Sequence, residues 1–267
     1  MPSNTMSSNE PYPPHTPSGR GATIADRSFL DFSVSELTEL LDVYRWLVFT
    51  GHPLSVLDVS EHLGKFGRLV RNDRRKDGVL ELDGSRKEEV LLGEGFLPLH
   101  RDGPLMGNDI ALVGICCVQH QHVTGGRTFI SDIAGAMHDV PDRVLDVIRE
   151  HGIEAKPVDK YYTKPSDTWH PIPGFIHVGG MSYLNVVFPY AAGDKPSWLI
   201  RIPGVSEQRF QAIIETLRAA IMSERYCYHH VWSEGELLLF DNRRTLHGRE
   251  AFHGRRALVN LQVLVEQ

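Results

Sequence analysis

The sequence predicts a mostly β jelly roll, two sheets packed face to face with helices on the outside. From Val90 onward, short apolar runs alternate with Gly, Pro and polar clusters, the punctuation of strands and turns. Only two helical patterns interrupt that region, and two more precede it. No internal repeat or linker-like stretch divides the 267 residues, a length ordinary for one domain with a full core.

Residues 1–22 are rich in proline (Pro2, Pro11, Pro13, Pro14, Pro17) and lack apolar periodicity. They are expected to be disordered or draped on the surface, ahead of a single domain from 23 to 267. Ser33-Val34-Ser35-Glu36 is a capping box opening a helix with Leu37, Leu40, Leu41 and Tyr44 on one face. Trp46 to Phe49 reads as a buried strand. A second helix is expected over 55–66, stopping at Gly67. Arg71 to Asp77, which includes Arg74 and Arg75, reads as a solvated charged loop. Strands are expected over 90–92, 110–118, 127–130, 183–188 and 236–240, and helices over 142–151 and 206–222. The last helix carries Phe210, Ile213, Ile214, Leu217 and Ile221 as its apolar stripe.

A formal charge of −6 with no basic stripe argues against a nucleic-acid partner. No apolar run reaches membrane-spanning length, and residues 1–22 contain no signal-type apolar core. Three cysteines, with Cys116 and Cys117 adjacent and Cys227 distant, cannot make a disulfide framework. A reducing cytoplasm is therefore the expected compartment. The expected partner is a small-molecule substrate, with homo-oligomerisation left open.

The chemistry is concentrated in Leu97-Pro98-Leu99-His100-Arg101-Asp102-Gly103 and, far downstream, Leu246-His247-Gly248-Arg249. In an extended segment His100 and Asp102 project to the same side. With one remote imidazole they make a 2-His-1-carboxylate set, which fills one face of a ferrous ion and leaves the other positions open. A lone His-x-Asp is common in ordinary turns, so the set depends on His247. Beyond it, the last strand alternates. Ala257, Val259, Leu261 and Val263 form an apolar face, while Arg256, Leu258, Asn260 and Gln262 form the other. A polar strand face beside a metal site should line a cavity, which places Arg256 inside it, ready to clamp a carboxylate with two parallel hydrogen bonds. Arg255 falls on the opposite phase.

The order His-x-Asp, Gly125-Gly126-Arg127-Thr128, Trp232-x-x-Gly235-Glu236-Leu237, Asp241-Asn242-Arg243-x-x-x-His247 and then Arg256 resembles the iron(II)/2-oxoglutarate-dependent oxygenases of the taurine dioxygenase and clavaminate synthase group. The nearest likeness is to carbapenem synthase, and it covers roughly Thr23 to the C-terminus. The resemblance implies a cupin-like double-stranded β-helix that binds Fe(II) through His100, Asp102 and His247. It also implies 2-oxoglutarate and O₂ as co-substrates, with the distal carboxylate held by Arg256 and Thr128 and with Arg249 orienting co-substrate or oxygen near the metal. Tyr162, or Tyr161, falls where the carbapenem enzyme has a hydrogen-donating tyrosine; packing at a strand end explains the pair equally well. Trp198 would lie on a lid loop over the substrate. Asn260 stands where several relatives carry a second arginine for an acidic substrate group, which implies a neutral wall there. Any substrate anion would then fall to Arg201, Arg243 or Arg244.

The activity implied is oxidation of a small, polar secondary metabolite (hydroxylation, desaturation, ring formation or epimerisation) with release of succinate and CO₂. Retention of Asp102 argues against halogenation, which requires a smaller residue there. Two other classes use the same three residues: a metal-dependent hydrolase and a non-catalytic cupin-like binding module. The first leaves Thr128 and Arg256 without a role, and for the second three intact ligands would be surplus.

Overall fold

The alternation of apolar residues resolves into two facing sheets. The computed structural model describes residues 11–84, 89–159 and 167–264. In chain order the strands are β1 (Ala22–Ile24), β2 (Trp46–Phe49), β3 (Val79–Leu82), β4 (Leu97–His100), β5 (Ile110–Gly125), β6 (Thr128–Asp132), β7 (Ile153–Pro157) and β8 (His170–Ile172). They continue with β9 (Phe175–Val178), β10 (Met181–Leu184), β11 (Trp198–Arg201), β12 (Cys227–His230), β13 (Leu237–Asp241), β14 (Thr245–Arg249) and β15 (Phe252–Leu264). The helices are α1 (Val34–Tyr44), α2 (Val56–Leu63), α3 (Ile133–Ala136), α4 (Asp142–His151) and α5 (Glu207–Ile221).

The larger sheet runs β1-β2-β13-β5-β15-β3 and the smaller β12-β6-β14-β4. Between them pack Trp46, Val113, Ile115, Ile130, Leu238 and Phe240. Helices α1 and α2 cover the outside of the larger sheet, where Leu37, Leu41 and Leu63 meet Val259, Leu261 and Val263. Each such buried side chain contributes about 1.5–3 kcal/mol, so both faces of β15 are committed and its register is strongly specified. Helices α4 and α5 cover the smaller sheet through Val144, Ile148, Ile214 and Leu217 against Phe129 and Leu246. Helix α1 starts where its capping box puts it, with Ser33 Oγ accepting from Glu36 N at 3.2 Å and Ser33 N donating back to Glu36 at 2.7 Å.

Several expectations need correction. Residues 11–22 are packed rather than disordered: Thr16 and Ala22 are buried. The Tyr44 hydroxyl bridges both backbone groups of Tyr12, and Trp46 Nε1 donates to His15 Nδ1 at 3.2 Å. These anchors hold a segment whose prolines leave it little freedom to lose. Residues 90–92 form a turn, not a strand; Leu92 packs on Leu80 of β3, and Val90 N is satisfied by Asp159 Oδ2 at 2.7 Å. The strand expected over 183–188 is Met181–Leu184, after which the chain forms no regular strand and makes isolated bonds such as Phe188 N to Leu99 O. Strand β5 runs on to Gly125, seven residues past its expected end, because it pairs with β15 along that length.

Candidate metal and co-substrate site

Strands β4 and β14 pair with His100 directly opposite His247, which brings the imidazole centroids to 4.3 Å. The residue after His247 has to be glycine on space alone, since a Cβ on Gly248 would stand 2.2 Å from the Phe129 ring and 2.6 Å from Leu97 O. Strand β4 ends at His100, so alternation does not reach Asp102. Instead Asn242, fully buried, clamps it: Asp102 N donates to Asn242 Oδ1, and Asn242 Nδ2 donates to Asp102 O, each at 3.0 Å. The Asp-Asn turn thus joins the two halves of the site, a role visible in the sequence only as a turn.

His100 Nε2 lies 3.5 Å and His247 Nε2 3.8 Å from Asp102 Oδ1. The ligand atoms of the three residues lie within 4.8 Å of one another, and among the described residues this is the one such group. Nδ1 of His100 meets Pro98 O at 2.9 Å, which fits an Nδ1–H tautomer with the Nε2 lone pair turned inward. Burial pushes His247 down to about 3, with His100 adding to the effect, so its ring is neutral and able to ligate. Burial disfavours ionisation of Asp102, but its polar neighbours, the His100 and His247 imidazoles and the Arg75 guanidinium, hold its carboxyl well below the usual range. Its second oxygen accepts from Gln262 Nε2 at 2.5 Å and from Asn260 Nδ2 at 3.4 Å, leaving Oδ1 for the side of the histidines. Two neutral nitrogens and one carboxylate oxygen, buried together, fit a ferrous ion with open positions.

The same cavity is lined by Arg256, Leu258, Asn260 and Gln262 from one face of β15, while Val259, Leu261 and Val263 point the other way. Arg256 is 2% exposed, and none of its three guanidinium nitrogens has a hydrogen-bond partner. It stacks over Phe252 at 4.8 Å. Burial, together with the charge of Arg249, draws it from 12.5 to about 9, so it remains charged at neutral pH. A buried, unsatisfied guanidinium is costly and calls for an anion. Thr128, at the start of β6 behind the Gly125-Gly126 turn, supplies the matching hydroxyl. Both glycines have φ near +70°, which that turn requires. Thr128 Oγ1 accepts from Trp232 Nε1 at 2.9 Å, so its own proton is left to donate to a carboxylate. Trp232 was legible as part of a motif, but not as the residue that sets this hydroxyl.

The sequence-predicted residues are therefore brought together in part. Arg249 lines the cavity, yet it donates to the backbone carbonyls of Gly95 at 2.8 Å, Leu91 at 3.3 Å and Val90 at 3.5 Å, tying down the 90–95 turn. Trp198 is not on a lid loop: it opens β11, is 1% exposed, and forms cavity wall 5.5 Å from the His100 ring. Its indole N–H is satisfied by Phe188 O at 2.8 Å. Tyr161 and Tyr162 lie outside the described residues. Arg201, Arg243 and Arg244 pair elsewhere, with Glu154, Asp109 and Asp241 respectively. Arg75, expected in a solvated loop, is 3% exposed and lines the cavity instead. It donates to Asn260 O and Oδ1, both at 2.9 Å, a tertiary contact with no local signal.

The family model described as "Taurine catabolism dioxygenase TauD, TfdA family" matches residues 8–262. The chain belongs to the TauD/TfdA family. It is an enzyme of that iron- and 2-oxoglutarate-dependent oxygenase group. The tyrosine isonitrile desaturase of Erwinia amylovora is 25% identical over 238 residues, 85% of this chain and 79% of the relative. The (S)-phenoxypropionate/alpha-ketoglutarate-dioxygenase of Sphingobium herbicidovorans is 23% identical over 241 residues, 85% and 82% of the two chains. In fold, this TauD/TfdA chain matches PvcB, an Fe, alpha-ketoglutarate dependent oxygenase from an isonitrile synthetic pathway, with a TM-score of 0.69 at 18% identity over 92% of this chain and 86% of that one. No helix among the described residues is long and apolar enough to cross a membrane.

Proposed function

We propose that the enzyme holds Fe(II) through His100, Asp102 and His247, and 2-oxoglutarate through Arg256 and Thr128, to oxidise a small secondary metabolite, with desaturation as the outcome. The observation that carries this is Arg256: a buried cation with three unpartnered nitrogens in the cavity of a His/Asp/His cluster. A hydrolase or a binding module gives that cation nothing to hold. Desaturation is favoured over the other outcomes by the relatives, among them the tyrosine isonitrile desaturase of Erwinia amylovora.

Iron held by His100, Asp102 and His247 would, when bound, supply the chemistry for oxidative decarboxylation of 2-oxoglutarate by O₂ and for removal of hydrogen from the substrate. The chain's part is positioning. Arg256 would grip the distal carboxylate through two parallel N–H donors, and Thr128, fixed by Trp232, would add a third. Gln262 and Asn260 hold one oxygen of Asp102, which keeps the other turned to the metal position. Trp198 walls the substrate side next to His100 and limits water access.

Adding Fe(II) and 2-oxoglutarate without oxygen should raise the weak visible charge-transfer band of a bidentate chelate, and admitting O₂ should yield succinate. Absence of both the band and succinate, with the chain folded, would overturn the assignment.

A further inference from the structure

We infer that the prime substrate carries an apolar body, an aryl or alkyl group, seated on a wall formed by β3 and the turn after Asp102, with Met106 as the residue that sets its fit. The inference rests on the oxygenase reading above. Leu80 and Leu92 form a small buried cluster of their own, with Leu82, Leu91 and Leu105 packed against it. All five leucines also line the cavity. Such a wall presents hydrocarbon to the cavity, and covering it with a ligand is favoured because apolar surface leaves water. The arginines of the cavity are engaged otherwise: Arg75 is docked on Asn260, Arg101 lies 3.4 Å from Asp109, and Arg249 is bonded to backbone carbonyls. Recognition on this side therefore falls to the apolar wall.

That wall stands on the metal side, where a substrate must lie to react. Leu80 pairs with Asn260 across the β3–β15 ladder, so the two side chains share the cavity face, and the Asn260 amide reaches Asp102 Oδ2 at 3.4 Å. Arg256 is four residues away along β15, roughly 13 Å at strand spacing and a little less for the bulge at Ala257/Leu258, so a body seated on Leu80 leaves the co-substrate's place free. The rest of the wall is the turn that follows Asp102. Gly103 O accepts from Met106 N at 2.8 Å and from Asn108 N at 3.1 Å, which closes the turn on itself. Gly103 has φ of 105°, and a Cβ there would stand 2.3 Å from Asn108 O. The turn is thus set before any ligand arrives, and the Asn242 clamp on Asp102 fixes where it starts. Leu105 packs on the leucine cluster, while Met106 lines the cavity and is still 45% exposed. An unbranched thioether adapts to ligands of different outline, and an apolar body entering the cavity covers it. Met106 is therefore a specificity-determining residue.

The test uses the full chain loaded anaerobically with Mn(II) and 2-oxoglutarate, and four primary amides: butanamide, hexanamide, octanamide and 3-phenylpropanamide. None carries a charge that would compete for Arg256. Burying one methylene is worth about fourfold in affinity, so calorimetry should find octanamide or 3-phenylpropanamide bound at least about tenfold more tightly than butanamide. Met106→Gln, which puts a polar group of similar length on the wall, should reduce that advantage by about threefold or more, and Met106→Leu should keep it. Circular dichroism and Mn(II) uptake establish that both variants are folded. No binding by any amide, affinity that does not rise with apolar size, or an advantage unchanged in Met106→Gln overturns the inference while leaving the oxygenase reading in place. If instead the unaltered enzyme takes up no 2-oxoglutarate, it is the oxygenase reading that fails, and the inference falls with it.

Discussion

Replacing Arg256 by methionine should make the ligand-free enzyme more stable while abolishing its response to 2-oxoglutarate. Burial draws this guanidinium from 12.5 to about 9, and at about 1.4 kcal/mol per tenfold change in proton affinity the desolvation amounts to several kcal/mol. Its contact with Phe252 returns some of that, and methionine keeps much of the volume. A net gain of about 1–3 kcal/mol follows, consistent with the general gain from replacing buried charge by apolar groups. For a chain of this size that is roughly 2–4 °C in melting temperature per kcal/mol. Differential scanning calorimetry with Mn(II), with and without 2-oxoglutarate, reads both effects. The unaltered enzyme should gain about 2.7 kcal/mol at a hundredfold excess over Kd, and Arg256→Met should gain nothing at that concentration. Arg255→Lys, on the exposed phase of β15, should behave like the unaltered enzyme. A ligand-free Arg256→Met that melts several degrees lower, or one still stabilised by 2-oxoglutarate, would refute the view that Arg256 is held in reserve for an anion.

Further outcomes concern the metal, the co-substrate hydroxyl and acid stability. His100→Ala, Asp102→Ala and His247→Ala should each abolish iron-dependent succinate formation, and Gln262→Leu should weaken Mn(II) binding roughly ten- to a hundredfold by electron paramagnetic resonance titration; turnover unchanged in any alanine variant would remove that residue from the metal set. Trp232→Phe takes away the donor to Thr128 and should raise the Kd for 2-oxoglutarate about fivefold, the effect of one neutral hydrogen bond; an unchanged Kd would mean that Thr128 needs no such partner. Burial, with His230 nearby, pushes His15 down to about 4, and Trp46 donates to it in its neutral form. The unfolded chain takes up that proton below about 6.5, so the stability His15 contributes is present above 6.5 and declines as pH falls toward 4. Melting temperatures of His15→Asn should fall less steeply over that window; an identical slope would show that the ring is protonated at no cost.

What the sequence determined by itself were the features set by local rules. The capping box of α1 depends on residues three apart, and the two faces of β15 depend on strict alternation, so Arg256, Asn260 and Gln262 could be assigned to one side before any fold was known. His100 and Asp102, with His247 far downstream, were legible as a metal-binding pattern from residue type and the order of motifs, not from alternation. Tertiary structure decided the rest. Asp102 lies past the end of β4, and its direction comes from Asn242, 140 residues away. Residues 11–22 look unstructured by composition, yet they are held by Tyr44 and Trp46. Arg75 sits in a run of charges that reads as solvated, because composition reports what a residue costs to bury and not whether a distant amide will meet it. Asn260 lies 185 residues further on and makes that contact, turning a surface charge into a wall of the cavity.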